Sequence, residues 1–175
     1  MNPMIYLLGA ILIVGALFDI LWRRIPNWLT VPAVAVGLAY HLWVAGLSGL
    51  LSSLAGAGLA LALWAPFYVM GGIGAGDVKL MAAIGALLGP AGLFFSAVCS
   101  AVVGGVYAAV ILAASRAGRE AARGLWQKLG MLMLTQDIGG MKAAGTKKGP
   151  LLYYGVAIAI GTFLYLAGSG RFSHG

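Results

Sequence analysis

Residues 71–80, GGIGAGDVKL, place one carboxylate directly behind a glycine-rich segment in the middle of an apolar chain. The sequence holds four acidic residues. Glu120 and Asp137 lie in a polar segment, whereas Asp19 and Asp77 lie within or beside long apolar runs. An ionisable side chain inside a bilayer costs about 2.5 to 3.5 kcal/mol on insertion scales, so its presence there indicates a functional site with a partner nearby. We expect Asp19 and Asp77 to be partners.

Composition predicts that the solvent of this chain is lipid. Hydrophobic residues make up 62% of the 175 residues and charged residues only 9%, whereas soluble domains carry about 25% charged residues. Such a composition is typical of a polytopic membrane protein. A net charge of +7 would suggest nucleic acid as the partner of a soluble protein. In a membrane protein the distribution of that charge over the loops carries the information, and we expect no nucleic acid.

The inventory of reactive side chains favours no metal and no other cofactor. The single cysteine, Cys99, supports neither an internal disulfide nor a zinc cluster, and no His-Glu-x-x-His segment occurs. Residues 46–49 spell the Gly-x-Ser-Gly of rhomboid-type serine proteases, but a tight turn is the simpler interpretation, with His41 an interfacial helix residue. Residues 85–89 have small-xxx-small spacing, which favours helix packing.

Six apolar segments follow one another along the chain, separated by polar residues or by glycine and proline. The predicted spans are Met4–Leu21, Trp28–Ala45, Leu50–Met70, Val78–Leu88, Ala91–Ala114 and Leu151–Ala167. The first is long enough to cross most of a hydrocarbon core of about 30 Å, whereas the fourth is only about 16 Å long. We therefore predict an all-α fold, a membrane helix bundle with about six transmembrane helices in a single domain over residues 1–175.

The basic residues follow alternate predicted spans, which predicts the orientation. Arg23 and Arg24 follow the first span, Lys79 follows the third, and seven basic residues lie in the segment 115–149 after the fifth. The two other connections carry no charge. Both termini are then outside the cytoplasm, and 115–149 is a basic cytoplasmic loop. Asp19 and Asp77 fall at the cytoplasmic ends of their helices and at similar depth.

The basic loop is a candidate contact with membrane lipids. Arg116, Arg119 and Arg123 recur at helical spacing and are followed by apolar residues. Such a segment can lie on the membrane surface and attract anionic lipids, so we expect lipids among the partners. The alternative is a solvated loop whose charge only sets the orientation. The oligomeric state is left open.

Two carboxylates at one depth on separate helices are what aspartyl proteolysis requires. Because like charges in contact repel, such a pair shares one proton, and one member remains an acid while the other takes a proton from water. The activated water attacks a peptide carbonyl, which is general acid–base catalysis without a covalent intermediate. Gly74 and Gly76 can adopt backbone conformations closed to other residues and let an extended substrate approach.

Each acid also has a simpler explanation. Asp77 is a good N-cap for a helix that begins at Val78. Asp19 lies four residues before Arg23 and can form an ion pair with it on the same helix. A different class of function, a proton-coupled transporter or channel component, would use both acids as a relay.

Two motifs together resemble those of the type IV prepilin peptidase family of GxGD membrane aspartyl proteases. They are Asp19 followed after five residues by Ile25-Pro26-Asn27-Trp28-Leu29-Thr30, and Gly74-Ala75-Gly76-Asp77-Val78-Lys79-Leu80. The resemblance covers residue 11 to about residue 167. It implies that Asp19 and Asp77 are catalytic. It also implies supporting roles for Ile25, Pro26, Asn27, Gly74, Gly76 and Lys79.

The resemblance further implies a multi-pass enzyme of the inner (cytoplasmic) membrane. Its substrate would be a pilin-like precursor of the Flp/Tad type, cut in its leader on the cytoplasmic side. Larger members carry a domain with paired cysteines and methylate the new amino terminus. This chain has one cysteine, so we expect no methyltransferase activity. Short members begin the last span with a Pro-Tyr-Gly-like segment, whereas here Pro150 is displaced from Tyr154-Gly155.

Overall fold

Every regular element in the described part of the chain is a helix, as the apolar runs predict. The structure is a computed structural model that describes residues 3–22, 24–69, 73–114 and 154–170. The helices are α1 (Pro3–Trp22), α2 (Asn27–Val69), α3 (Ala75–Ala114) and α4 (Tyr154–Gly168). No strand occurs within these ranges, so the all-α prediction is confirmed for them. Arg23 and the basic loop 115–149 lie outside the described residues.

Glycine divides each of the two long helices into two segments. Gly46 has φ 61° and ψ −144° inside α2, and Gly89 has φ 74° and ψ −179° inside α3. A positive φ favours glycine because the residue has no Cβ. The two breaks lie at the predicted boundaries between apolar segments. The predicted turn over residues 46–49 was too long, since residues 47–49 are already helical and Gly46 alone redirects the chain.

Three of the described helices are long and apolar enough to cross a membrane. They are Met4–Trp22, Asn27–Val69 and Ala75–Ile111. The fourth apolar helix, α4, is shorter, with 15 residues. The number of crossings and the side on which the termini lie stay predictions.

The break in α3 is stabilised by side chains from α2. Pro90 has no N–H, so the carbonyl of Ala86 lacks its usual helical donor four residues on. Ser53 Oγ donates a hydrogen bond to this carbonyl oxygen at 2.7 Å, and His41 Nε2 donates to the carbonyl oxygen of Leu87 at 3.1 Å. Since an unpaired backbone group in lipid costs several kcal/mol, these two contacts satisfy the end of the helical segment 75–88. His41 therefore has a structural role.

Close backbone approaches bring α2 and α3 together. A Cβ on Gly56 would collide with the backbone carbonyl of Gly85, and a Cβ on Gly85 would collide with Gly56 in turn. Small residues permit this separation, as the spacing of residues 85–89 predicts. Helix α1 packs against α2 and α4. The largest fully buried apolar side chains are Leu8, Leu12, Leu80, Met81, Ile84, Leu93, Ile158 and Leu166.

Packing divides the chain into two units. One comprises residues 1–104 together with 153–175, and the other comprises residues 105–152. The candidate site lies wholly in the first unit. The helical segment 75–88 is its central element, because residues 80–87 are all buried. That segment carries Asp77 at one end and the Gly89 break at the other, so its position determines where Asp77 lies.

Candidate active site

A cavity of about 660 Å³ lies where α1 ends and where α2 and α3 begin. All eight residues predicted for the site line it. They are Asp19, Ile25, Pro26, Asn27, Gly74, Gly76, Asp77 and Lys79. Two motifs separated by some fifty residues in sequence are thus brought to one place. Their catalytic and supporting roles stay predictions.

Asp77 lies in the first turn of α3, two residues after Ala75, the first residue of the helix. The N–H groups of Asp77 and Val78 donate to the carbonyl oxygen of Gly74 at 3.1 and 3.4 Å, which makes Gly74 the N-cap. In return, Asp77 Oδ2 accepts a hydrogen bond from the Gly74 N–H at 3.2 Å. This is the reaching-back half of a capping box, and it suits the helix dipole. Asp77 therefore caps the helix, although from the third helical position and not from the N-cap itself.

The helix begins at Ala75 and not at Val78, so Asp77 lies within the helix and not before it. The residue is only 8% exposed. Because the capping bond uses Oδ2, the cap orients the carboxylate while the side chain still lines the cavity.

Asp19 is held by a different helix. It lies one turn before the end of α1, and its Oδ2 accepts a hydrogen bond from the N–H of Gly155 at 2.9 Å. Gly155 is the second residue of α4, so the carboxylate of α1 caps the first turn of α4. The alternative partner, Arg23, lies outside the described residues. The acid that begins the first motif is therefore bound to the last described helix.

The two carboxylates share one cavity, because both side chains line it. Two carboxylates in such proximity favour a state in which they share one proton. Two exposed basic residues, Arg24 and Lys79, line the same cavity. Among the described residues, no group of three His, Cys, Asp or Glu side chains is placed to hold a metal ion.

Direct contacts join the two motifs. Lys79 Nζ donates a hydrogen bond to Asn27 Oδ1 at 2.8 Å. Gly76 lies against Ile25, because a Cβ at position 76 would be 3.0 Å from Ile25 Cβ and 3.1 Å from its backbone N. The start of α2 is thereby packed against the start of α3. Both contacts use residues that the motifs predict as support.

The expectation for the backbone of Gly74 and Gly76 is wrong. Positive φ values occur at Gly46, Gly89 and Gly170 among the described glycines, and neither Gly74 nor Gly76 is one of them. The absence of a side chain matters at both positions for a different reason. A Cβ on Gly76 would press on Ile25, and a Cβ on Gly74 would lie 3.2 Å from Asp77 Oδ2.

Sequence reasoning missed further residues at the site. Phe18, Trp22 and Arg24 line the cavity, and Gly155 binds Asp19. Phe18 contacts Trp22 at a ring-centroid distance of 4.9 Å, which their i, i+4 spacing in α1 could have indicated. No spacing rule could have joined Gly155 to Asp19, since they are 136 residues apart.

Comparison with known proteins bears on this geometry. The sequence model of the type IV leader peptidase family matches residues 6–109, which is more than half of the chain. The matched range contains both aspartates and ends before α4. No curated protein and no solved structure matches the chain.

Proposed function

We propose that this chain, which belongs to the type IV leader peptidase family, is an aspartic endopeptidase that removes the leader of pilin-like precursors at the cytoplasmic face of the inner membrane. Family membership supports a leader peptidase and a membrane location, and three helices have the length and composition to span a bilayer. The Flp/Tad-type substrate and the side of cleavage are the finer part of the proposal.

The observation that carries the proposal is the placement of Asp19 and Asp77 around one cavity. One ionised carboxylate takes a proton from a water molecule, and the resulting nucleophile attacks the carbonyl carbon of the scissile peptide bond. The protonated partner supports the developing oxyanion. The C–N bond then breaks, and the leaving amine receives a proton from the carboxyl group. Neither aspartate forms a covalent bond to the substrate.

The breaks at Gly46 and Gly89 support six crossings. If each half of α2 and α3 crosses once, the segment 75–88 is about 21 Å long, shorter than a hydrocarbon core of about 30 Å. Its far end is fixed by Ser53 and His41 of α2. Asp77 at its near end then lies below the membrane surface, where a cavity is needed to admit water and a peptide.

The proton-relay alternative is not favoured, because the matching family is one of leader peptidases. A relay would use both acids, but it gives no reason for the contacts of Ile25 with Gly76 and of Asn27 with Lys79. In a peptidase these contacts fix the start of α3, which carries Asp77, against the segment that follows the helix of Asp19.

A cleavage assay tests the proposed function. The chain is co-expressed with a Flp/Tad-type precursor, and the precursor is followed by gel mobility and by mass spectrometry of its new amino terminus. We expect shortening by the wild type and none by the double variant Asp19→Asn, Asp77→Asn. The matched control is Glu120→Gln, Asp137→Asn, which removes the two other acids of the chain and should cleave normally. An intact precursor with the inserted wild type, or cleavage by the first double variant, would refute the proposal.

A further inference from the structure

Helix α4 is outside the matched range of the family, yet its first turn touches one of the two acids of the cavity. The N–H of Gly155 donates to Asp19 Oδ2 at 2.9 Å. A backbone donor at a helix N-terminus binds and orients a negative charge, and the helix dipole favours the charge there.

The same contact leaves no room for a side chain. A Cβ on Gly155 would lie 2.9 Å from Asp19 Oδ2 and 3.1 Å from its Cβ and Cγ. Any residue other than glycine at position 155 therefore pushes the carboxylate of Asp19 away from its observed place. Glycine is required here for the close approach of α4 to α1, since Gly155 has no positive φ.

Two other glycines of α4 show that this requirement is local. A Cβ on Gly161 would run into the backbone of Ser100, on α3. A Cβ on Gly168 meets nothing within 4 Å. One helix thus offers a glycine at the site, a glycine in a packing contact remote from the site, and a glycine in open space.

We propose that Gly155 is a positioning residue for Asp19. The N–H of Gly155 binds the carboxylate. Because Gly155 has no side chain, Asp19 can reach the position from which it faces the cavity. The proposal rests on the proposed peptidase function for its kinetic consequence. Its structural content is independent of that function. It makes α4 part of the active site, although α4 follows the second motif by more than seventy residues.

The kinetic test compares three alanine variants of α4 in the full-length protein. Gly155→Ala should lower kcat for precursor cleavage on the order of a hundredfold with KM little changed, because a displacement of about 1 Å at a reacting group has an effect of that size. Gly168→Ala should match the wild type. Gly161→Ala should lower the thermal unfolding temperature while kcat per folded molecule stays within about twofold of the wild type, since the clash affects packing alone.

A second measurement does not depend on activity or on the folding of Gly155→Ala. Hydrogen exchange at the Gly155 amide is compared in wild type, Asp19→Asn and Asp19→Ala. Asparagine keeps a carbonyl acceptor and should keep the amide protected, whereas alanine removes the acceptor and should speed exchange at least tenfold. Equal exchange in all three proteins would overturn the contact, and wild-type kcat in Gly155→Ala would overturn the positioning role. If the wild type cleaves no precursor but the exchange pattern is as expected, the proposed function fails and the contact stands.

Discussion

Asp19 and Asp77 line one cavity but are held in opposite ways. Asp77 binds the N–H of Gly74, three residues before it, whereas Asp19 binds the N–H of Gly155, 136 residues after it. The first contact forms with the turn of the helix that carries the acid. The second requires α1 and α4 to have packed together. The site therefore combines one acid whose orientation is local with one whose orientation depends on the assembled bundle.

The largest expected effect is a loss of cleavage that is the same for both acids. We predict that Asp19→Asn and Asp77→Asn each lower precursor cleavage by roughly 10²- to 10⁴-fold, because both acids exchange protons in the reaction and an amide cannot. The losses should be equal within the error of the assay, measured on inserted protein in one lipid preparation. Asparagine retains an oxygen that accepts from Gly74 or Gly155, so insertion and folding should be normal. Substantial activity in either variant would contradict a shared role.

The same difference explains what the sequence could predict. The GxGD segment contains both partners of the Asp77 contact, so a capping role was foreseeable, although the predicted N-cap lies three residues after the observed one. The breaks at Gly46 and Gly89 were likewise foreseeable, because glycine, alone or before proline, interrupts long apolar runs. Features formed by residues close together in the chain can therefore be predicted from the sequence.

The rest required tertiary contacts. The sequence showed that Gly76 was unusual but suggested a special backbone conformation, whereas its lack of a side chain accommodates Ile25 from the first motif. His41 had no evident function until α2 and the Gly89 break came together. Gly155 was noticed only as part of a segment in which the proline is displaced. In each case the partner lies outside the helix that carries the residue, and no spacing along the chain indicates it.

Gly76→Ala should lower both the stability of the protein and its rate of cleavage. The added methyl group would press on Ile25 at about the distance of its backbone N, 3.1 Å. We expect the free energy of unfolding in detergent to fall by about 1–3 kcal/mol. Cleavage should also slow on the order of tenfold, since reacting groups tolerate little displacement. The control is Gly58→Ala in α2, where a Cβ meets nothing within 4 Å. That variant should be as active as the wild type and more stable by about 0.5–1 kcal/mol. If Gly76→Ala behaves like Gly58→Ala, the two motifs do not pack as described.

Ser53→Ala should lower the stability of the helix that carries Asp77 and leave cleavage by the folded protein unchanged. The change leaves the Ala86 carbonyl without its 2.7 Å bond, at the end of the segment 75–88 that is remote from the cavity. We expect a loss of about 1–3 kcal/mol in the free energy of unfolding and cleavage per folded molecule close to that of the wild type. Thermal unfolding and turnover are measured on the same preparation. Ser48→Ala is the control, because its hydroxyl donates to an exposed carbonyl, that of Ala45. A catalytic defect in folded Ser53→Ala would show that the break itself sets the position of Asp77.

The smallest expected effect concerns the hydrogen bond between Lys79 and Asn27, which joins the start of α3 to the start of α2. The bond is exposed, with Lys79 Nζ 2.8 Å from Asn27 Oδ1. A net worth of about 0.5–1.5 kcal/mol for such a bond corresponds to a change of roughly two- to tenfold in rate. Lys79→Ala should therefore weaken turnover without eliminating it, and Lys79→Arg should retain most of it because the donor remains.

A double-mutant cycle decides whether Lys79 acts through Asn27 or on the substrate. If the hydrogen bond is the whole effect, Asn27→Ala should equal Lys79→Ala, and the double variant should be no worse than either single one. Additive losses would mean that the two side chains act separately. Complete loss of cleavage in Lys79→Ala with normal insertion would place the ammonium group beside the reacting atoms. One exposed hydrogen bond cannot account for so large an effect. The cavity would then present a positive charge to the cleavage site, and the two aspartates would not be the only groups that touch the substrate.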